Sequence, residues 1–311
     1  MEVVISAVLT VVGLIMLCFG GNWLVNGGVS IAKKFRISNL VIGMTIVAYG
    51  TSTPELAASI AAAGEHSEII LGNIVGSNIA NVGMVIGIAA IMATLLVSKS
   101  VLKKEIPIML GVSFLLVLLS LDGELSFYDG ILLLAGLGVF GFYTYKDAMK
   151  QRQETQEKVE EKQKNLYLKS FGLIGIGVAL LYVGAILTVD NAVVLAKEFG
   201  LSEKIIGLTV IAIGTSLPEL ITSVIAIRKG HADIGVGNII GSNIYNILMI
   251  MGVGAALGGV VITSDVYVDY AIMIIFSISL LIAIKTGVIN RIMGVCLAIG
   301  YVAYLILTFF K

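Results

Sequence analysis

Charge is the scarcest commodity in this chain. Asp, Glu, Lys and Arg make up only 13% of 311 residues, about half their share in ordinary globular proteins. The 20 basic and 20 acidic side chains cancel, so no cationic excess suggests nucleic acid as a partner. Cysteine is nearly absent. Cys18 and Cys296 stand far apart in apolar runs, which excludes a disulfide scaffold or a cysteine-rich metal site and reads as two small apolar fillers. Proline occurs three times, histidine twice and tryptophan once. What fills the space is apolar: 58% of the residues are hydrophobic and the mean hydropathy is +1.03. Such a chain cannot be an ordinary soluble domain; it is expected to be an all-α membrane protein.

A helix crosses the hydrocarbon layer with about 20 apolar residues. Ten runs qualify: 3–32, 39–63, 69–97, 105–121, 126–145, 170–196, 205–227, 234–263, 266–284 and 291–310. The first has no basic flank and no small-residue cleavage site, so it reads as a retained helix and not a signal peptide. The runs are too long and too uniformly apolar for barrel strands. Lys and Arg set the orientation. Alternate loops collect 17 of the 20, leaving Lys197, Lys204 and Lys311 on the other side. The basic side is expected to be cytoplasmic, with both termini extracellular. The opposite loops are acidic, through residues such as Glu65, Glu68, Asp265 and Asp269.

The one long polar stretch, at 146–169, divides two similar halves. ISNLVIGMTIVAYGTSTPELAASIA at 37–61 aligns with LSEKIIGLTVIAIGTSLPELITSVI at 201–225, an offset of 164. GNIVGSNIAN at 72–81 aligns with GNIIGSNIYN at 237–246, an offset of 165. The organisation expected is a first five-helix repeat over 1–146, a cytoplasmic linker over 147–169, and a second repeat over 170–311. An odd number of spans per repeat inverts the second copy. Ten transmembrane helices in two inverted five-helix repeats are an architecture of secondary transporters, with sites near the midplane on interrupted helices.

Glu55 and Glu219 read as the only carboxylates deep within apolar spans. A carboxylate at mid-bilayer costs at least a few kcal/mol and marks a pathway or site by default. No Lys, Arg or His lies in a span to pair with them. Two of the three prolines, Pro54 and Pro218, immediately precede these residues. Each removes a backbone donor and pushes off the carbonyl four residues earlier, that of Gly50 or Gly214. Thr51, Ser52, Thr215 and Ser216 bring hydroxyls to the broken turns. Asn73, Ser77, Asn81 and their counterparts Asn238, Ser242 and Asn246 recur every fourth residue along one helical face. Asn73 and Asn238 could equally serve as interhelical glue. The pooled donors are all oxygen: carboxylate, hydroxyl, amide and loosened carbonyl. Hard cations such as Ca²⁺ and Na⁺ take such ligands, whereas Zn²⁺ or copper would call for imidazole or thiolate. Two glutamates neutralise one Ca²⁺. His66 and His231 fall in loops, and no HExxH or G-x-S-x-G indicates an enzyme.

The GTS-x-PE and GN-x-x-GSN pairs resemble the repeats of the Ca²⁺/cation antiporter superfamily, and within it the sodium/calcium exchanger branch. The resemblance covers the whole chain. It implies ions bound among spans 2, 3, 7 and 8. Calcium would be held by the carboxylates of Glu55 and Glu219 and the carbonyls of Thr51 and Thr215. Sodium would use Ser52, Ser77, Ser216 and Ser242 with carbonyls from Ala48 and Ala212, and Asn81 and Asn246 would complete the centre. It also implies Na⁺/Ca²⁺ exchange by alternating access as spans 1 and 6 slide. Potassium-dependent relatives carry Asp where this chain has Asn246, which argues against K⁺ co-transport. Coupling to H⁺ is the alternative, a cation channel a more remote one. No bound cofactor is expected, only transported Ca²⁺ and Na⁺; the functional unit is expected to be a monomer in the lipid bilayer of the cell membrane. Thr53 and Asp190 have no functional account at this level.

Overall fold

A computed structural model of the chain describes residues 2–154, 164–200 and 212–309. The centre of the expected linker, 155–163, and the start of the expected seventh span, 205–211, lie outside the described residues. Among those described, eight helices are long and apolar enough to cross a membrane. The protein is a multi-pass membrane protein.

Two helices exceed the rest. Helix α1 (Glu2–Phe35) runs for 34 residues and α9 (Lys164–Glu198) for 35, each roughly 50 Å at 1.5 Å per residue. That exceeds a hydrocarbon layer of about 30 Å, so both must tilt or protrude. They pack against each other along a seam of glycines. A Cβ placed on Gly20 would lie 2.8 Å from the Gly177 carbonyl oxygen and 2.9 Å from the Leu181 nitrogen. One on Gly184 would lie 2.9 Å from the Gly13 oxygen and 3.0 Å from the Leu17 nitrogen. These contacts exchange under the 164-residue offset, and the absence of side chains brings the backbones together where lipid provides no hydrophobic drive.

The short α2 (Asn39–Ile42), a π-helical turn Gly43–Val47, α3 (Ala48–Thr51) and α4 (Thr53–Ala62) make one broken path. Of its counterpart in the second half, the described residues show α10 (Ala212–Thr215) and α11 (Leu217–Arg228). Between these paths lie two central helices. The first joins α5 (Ser67–Ala80), a π-helical stretch Asn81–Ile86 and α6 (Gly87–Met92). The second joins α12 (Ala232–Tyr245), a π-helical stretch Asn246–Met251 and α13 (Gly252–Gly258). Both are 83% buried, against 17–39% for the other six long helices. Isoleucine, valine and glycine on all sides suit them to the middle of the bundle. Asn81 and Asn246 are buried, and each opens a π-helical stretch, a distortion frequent at functional sites.

The periphery holds α7 (Ile106–Leu119), α8 (Phe127–Glu154), α14 (Val266–Ser279) and α15 (Arg291–Phe309). Helix α8 covers α13, and α15 covers α6. Two short strand pairings tie the halves together: Leu95–Leu96 with Val288–Ile289, and Glu124–Leu125 with Val260–Val261. They too exchange under the repeat offset. Cys18 and Cys296 are exposed on the outside of the bundle, which corrects their reading as fillers.

Candidate cation site

The break in each discontinuous path is confined to one residue. Ser52 has φ −84° and ψ 9°, Ser216 φ −90° and ψ 4°, and the helix resumes at once on the far side. Each proline falls in the first turn of the resumed helix, where its missing N–H leaves no bond unmade. Each glutamate sits in that same turn, so its carboxylate faces the positive end of a helix. The carbonyl ends of α3 and α10 point at the break from the other side, and that end favours a cation. Thr53 is settled by local chemistry: its hydroxyl donates to the Tyr49 carbonyl at 3.0 Å.

Nine of the predicted polar donor residues are buried, and Thr215 is half-buried. Thr51, Ser52, Glu55, Ser77, Asn81, Ser216, Glu219, Ser242 and Asn246 are all at most 2% exposed. The Glu55 and Glu219 carboxyls, contributed by opposite halves, are electrostatic neighbours. Ser52 Oγ donates to Glu219 Oε1 at 3.1 Å, and Ser242 Oγ lies 3.5 Å from the same oxygen. Thr51 Oγ1 donates to Asn238 Oδ1 at 3.0 Å. The Ala48 carbonyl is already engaged, accepting from the Ser52 N–H at 3.0 Å and the Thr51 hydroxyl at 3.2 Å. In the second half the turn tightens, and the Ser216 N–H reaches Ile213 instead, at 3.2 Å.

The glue role anticipated for Asn73 and Asn238 is visible. Asn238 Nδ2 donates to Ser223 Oγ at 3.0 Å, and Asn73 Nδ2 to Ser59 Oγ at 3.1 Å and to the Glu55 carbonyl at 3.1 Å. Two further asparagines, Asn78 and Asn243, went unnoticed in the sequence although both stand in the GSN triplets. Asn78 Nδ2 donates to the Asn243 carbonyl at 3.3 Å, and Asn243 Nδ2 to the Asn78 carbonyl at 3.5 Å. Asn81 Nδ2 donates to Asn243 Oδ1 and Asn246 Nδ2 to Asn78 Oδ1, both at 3.0 Å. This square of amides fixes the central helices and turns both outer amides by their nitrogens.

One group of oxygens is left over. Both carboxylate oxygens of Glu55, Oε2 of Glu219, the hydroxyls of Ser77 and Ser216, and Oδ1 of Asn81 and Asn246 are buried without a hydrogen-bond partner. A buried unsatisfied polar group costs about 1–3 kcal/mol, more when charged. Asn73 Oδ1 is unpartnered as well; the seven atoms named form an acceptor-rich, nitrogen-free and sulfur-free donor set. Among the described residues there is no group of three or more His, Cys, Asp and Glu placed to hold a metal ion.

Those two motif pairs, brought together in the two broken paths, place the chain. The sodium/calcium exchanger protein family matches residues 5–146 and 169–310. The chain belongs to this family. As an exchanger-family chain it is a membrane transporter of cations. It is 37% identical to the inner membrane protein YrbG of Escherichia coli, over 97% of this chain and 96% of that protein. It is 32% identical to the sodium/calcium exchanger MaX1 of Methanosarcina acetivorans, over 99% of each. The solved structure of the sodium-calcium exchanger NCX_Mj, soaked with zero Na⁺ and Ca²⁺, superposes with a TM-score of 0.84 at 33% identity, covering 97% of this chain and 98% of that one.

A third buried carboxylate corrects the reading that Glu55 and Glu219 stand alone. Glu105, which marks the edge of the fourth apolar run in sequence, is 1% exposed. It accepts from the Tyr143 hydroxyl at 3.1 Å, while its Oε2 is unpartnered. Its counterpart under the offset, Asp269, pairs with Tyr304. These carboxyl–tyrosine pairs join the peripheral helices of each half.

Proposed function

We propose that the chain is a secondary antiporter exchanging Na⁺ for Ca²⁺ by alternating access, using no nucleotide. The observation that carries the reading is the set of seven buried, unpartnered oxygens shared between the inverted motifs. Calcium takes six to eight oxygens, with carboxylates and carbonyls among them. In this reading Glu55 and Glu219 ligate it with the carbonyls of Thr51 and Thr215, and their two charges neutralise it. Sodium occupies overlapping positions on Ser52, Ser77, Ser216 and Ser242 and on the carbonyls of Ala48 and Ala212. Asn81 and Asn246, whose amide nitrogens are held by the asparagine square, present their oxygens to the centre. The engaged Ala48 carbonyl must surrender a hydrogen bond to take part.

The architecture that goes with this is ten spans in two inverted repeats, with 1–146 and 170–311 as the repeats. The eight long helices are then joined by two broken spans around Ser52 and Ser216. Both termini are extracellular and the 147–169 linker is cytoplasmic, from the distribution of Lys and Arg. One chain supplies a complete donor set, which favours a monomeric unit. Relatives named as sodium/calcium exchangers favour Na⁺ over H⁺ as the coupling ion, and Asn246 speaks against K⁺.

The test is ⁴⁵Ca uptake into Na⁺-loaded vesicles, with and without an outward Na⁺ gradient. Uptake that follows the gradient is expected. Uptake that ignores it would refute antiport, and uptake driven only by a pH step would establish H⁺ coupling instead.

A further inference from the structure

Helices α1 and α9 meet the broken paths at two places that are mates under the offset of 164, and the two places differ. On one side α1 closes against α11: a Cβ on Gly21 would lie 2.9 Å from Thr222 Oγ1 and 3.3 Å from Thr222 Cα. The mates of Gly21 and Thr222 are Ala185 and Ala58. These line a cleft of about 450 Å³ between α9 and α4 that reaches Pro54 and Thr215, each within two residues of a break. Its one ionisable lining residue is Asp190. Asp190 is exposed and lies eight residues before the end of α9, roughly 12 Å along the axis.

The mate of Asp190 is Asn26, and there the protein places a cation of its own. The Lys229 ammonium donates to Asn26 Oδ1 at 2.7 Å and to Asn22 Oδ1. Partial burial lowers the pKa of that lysine from its ordinary value. The same position of the fold is thus built for positive charge twice, once filled by an ammonium and once presenting a bare carboxylate to a cleft. The cleft reaches both broken paths beside the site, where Ser216 Oγ has no partner and Ser52 is bonded to Glu219.

We propose that Asp190 is a recruiting site for the arriving cation, holding hydrated Na⁺ or Ca²⁺ in the cleft before it sheds water onto the central oxygens. This rests on the antiport reading. An exposed carboxylate in a cleft raises the local cation concentration and the rate of arrival, an effect that salt screens. Asp190 is not one of the central donors, so its removal is expected to leave the rate of the loaded protein alone.

The experiment has two arms. In vesicles, Asp190→Asn is expected to raise the KM for Ca²⁺ and for Na⁺ on the cleft side about three- to tenfold at low ionic strength, less at high salt, with kcat and the opposite-side KM unchanged. Asp190→Glu should restore it. An unchanged KM, or a fall in kcat alone, would overturn the proposal. The second arm needs no transport. With Cys18 and Cys296 replaced by Ser, Val193→Cys in the cleft should react faster with a cationic than an anionic thiol reagent, and Asp190→Asn should erase that preference. Absence of reaction, or a preference indifferent to Asp190, would equally refute it. A wild-type protein that showed no gradient-driven flux would defeat the antiport reading and leave this arm standing.

Discussion

The asparagine square and the α1–α9 pair obey the same internal two-fold, yet relative to each other they do not. Within the square every hydrogen bond has its mate: Asn78 to Asn243 and back, Asn81 and Asn246 to the opposite partner. Even the contacts of Asn78 with Met273 and of Asn243 with Met109 correspond. Within the α1–α9 pair the glycine contacts correspond as well. Between the two bodies the match fails. Gly50 of the first broken path faces Val178 and Leu24, whereas Gly214 of the second faces Val189. The long helices are therefore displaced from the core's axis, closing one flank and opening the other. An inverted repeat has two equivalent displaced arrangements, and a protein able to adopt both exposes its site to each side in turn.

The largest effect expected is on the site itself. Glu55→Gln and Glu219→Gln should each reduce Na⁺-driven ⁴⁵Ca uptake by about 100-fold or more, as a charge pair that neutralises Ca²⁺ is halved. Their ion-free stabilities should differ. Glu55 has no partner whereas Glu219 accepts from Ser52, so Glu55→Gln should raise the melting temperature more. Equal shifts in thermal denaturation would show the two halves of the site to be alike after all. Next comes the square. Asn78→Ala and Asn243→Ala should each destabilise by about 1–3 kcal/mol, by the same amount because they are mates. The double variant should lose less than the sum, since each single change already breaks shared bonds. Denaturant unfolding in detergent measures this, and strict additivity would count against a connected network.

Gly20→Ala and Gly184→Ala probe the other body. Each forces a methyl against a carbonyl oxygen at under 3.0 Å, at a cost of about 1–3 kcal/mol. Their effects on maximal transport rate should coincide, and a large disparity would mean the α1–α9 seam is not symmetric during turnover. The smallest effect belongs to Lys229→Met, which unties the exposed ammonium from Asn22 and Asn26. Because exposed polar contacts are weak, a change of about two- to fivefold in the ratio of apparent Ca²⁺ affinities on the two sides is expected from side-specific flux assays. No change would show that the closed flank is held by packing at Gly21 alone.

Much of the site was legible because composition made it conspicuous. In a chain with so few charges, Glu55 and Glu219 had no rivals within their spans, and Pro54 and Pro218 marked the breaks. Glu105 was missed because sequence places it at the margin of an apolar run, where solvent is the natural assumption. Its burial depends on α8 bringing Tyr143 over it, which no local pattern announces. Asn78 and Asn243 were overshadowed by neighbours at the fourfold spacing, although their recurrence at offset 165 was a usable signal. The extent of the breaks was also overestimated from proline chemistry: a single residue suffices, as Pro54 and Pro218 start new helices without disrupting old ones.

Sequence by itself determined that the chain lives in lipid, that it is written twice, and which oxygens are too costly to bury without a purpose. Those are properties of residue type and spacing, governed by transfer energies that act on each segment alone. Which oxygens stay unpartnered, which flank of the bundle is open and which mate of a symmetric pair meets an ammonium were decided only in three dimensions. They depend on how two rigid, individually symmetric bodies settle against each other, and packing that cannot satisfy both flanks at once must choose one.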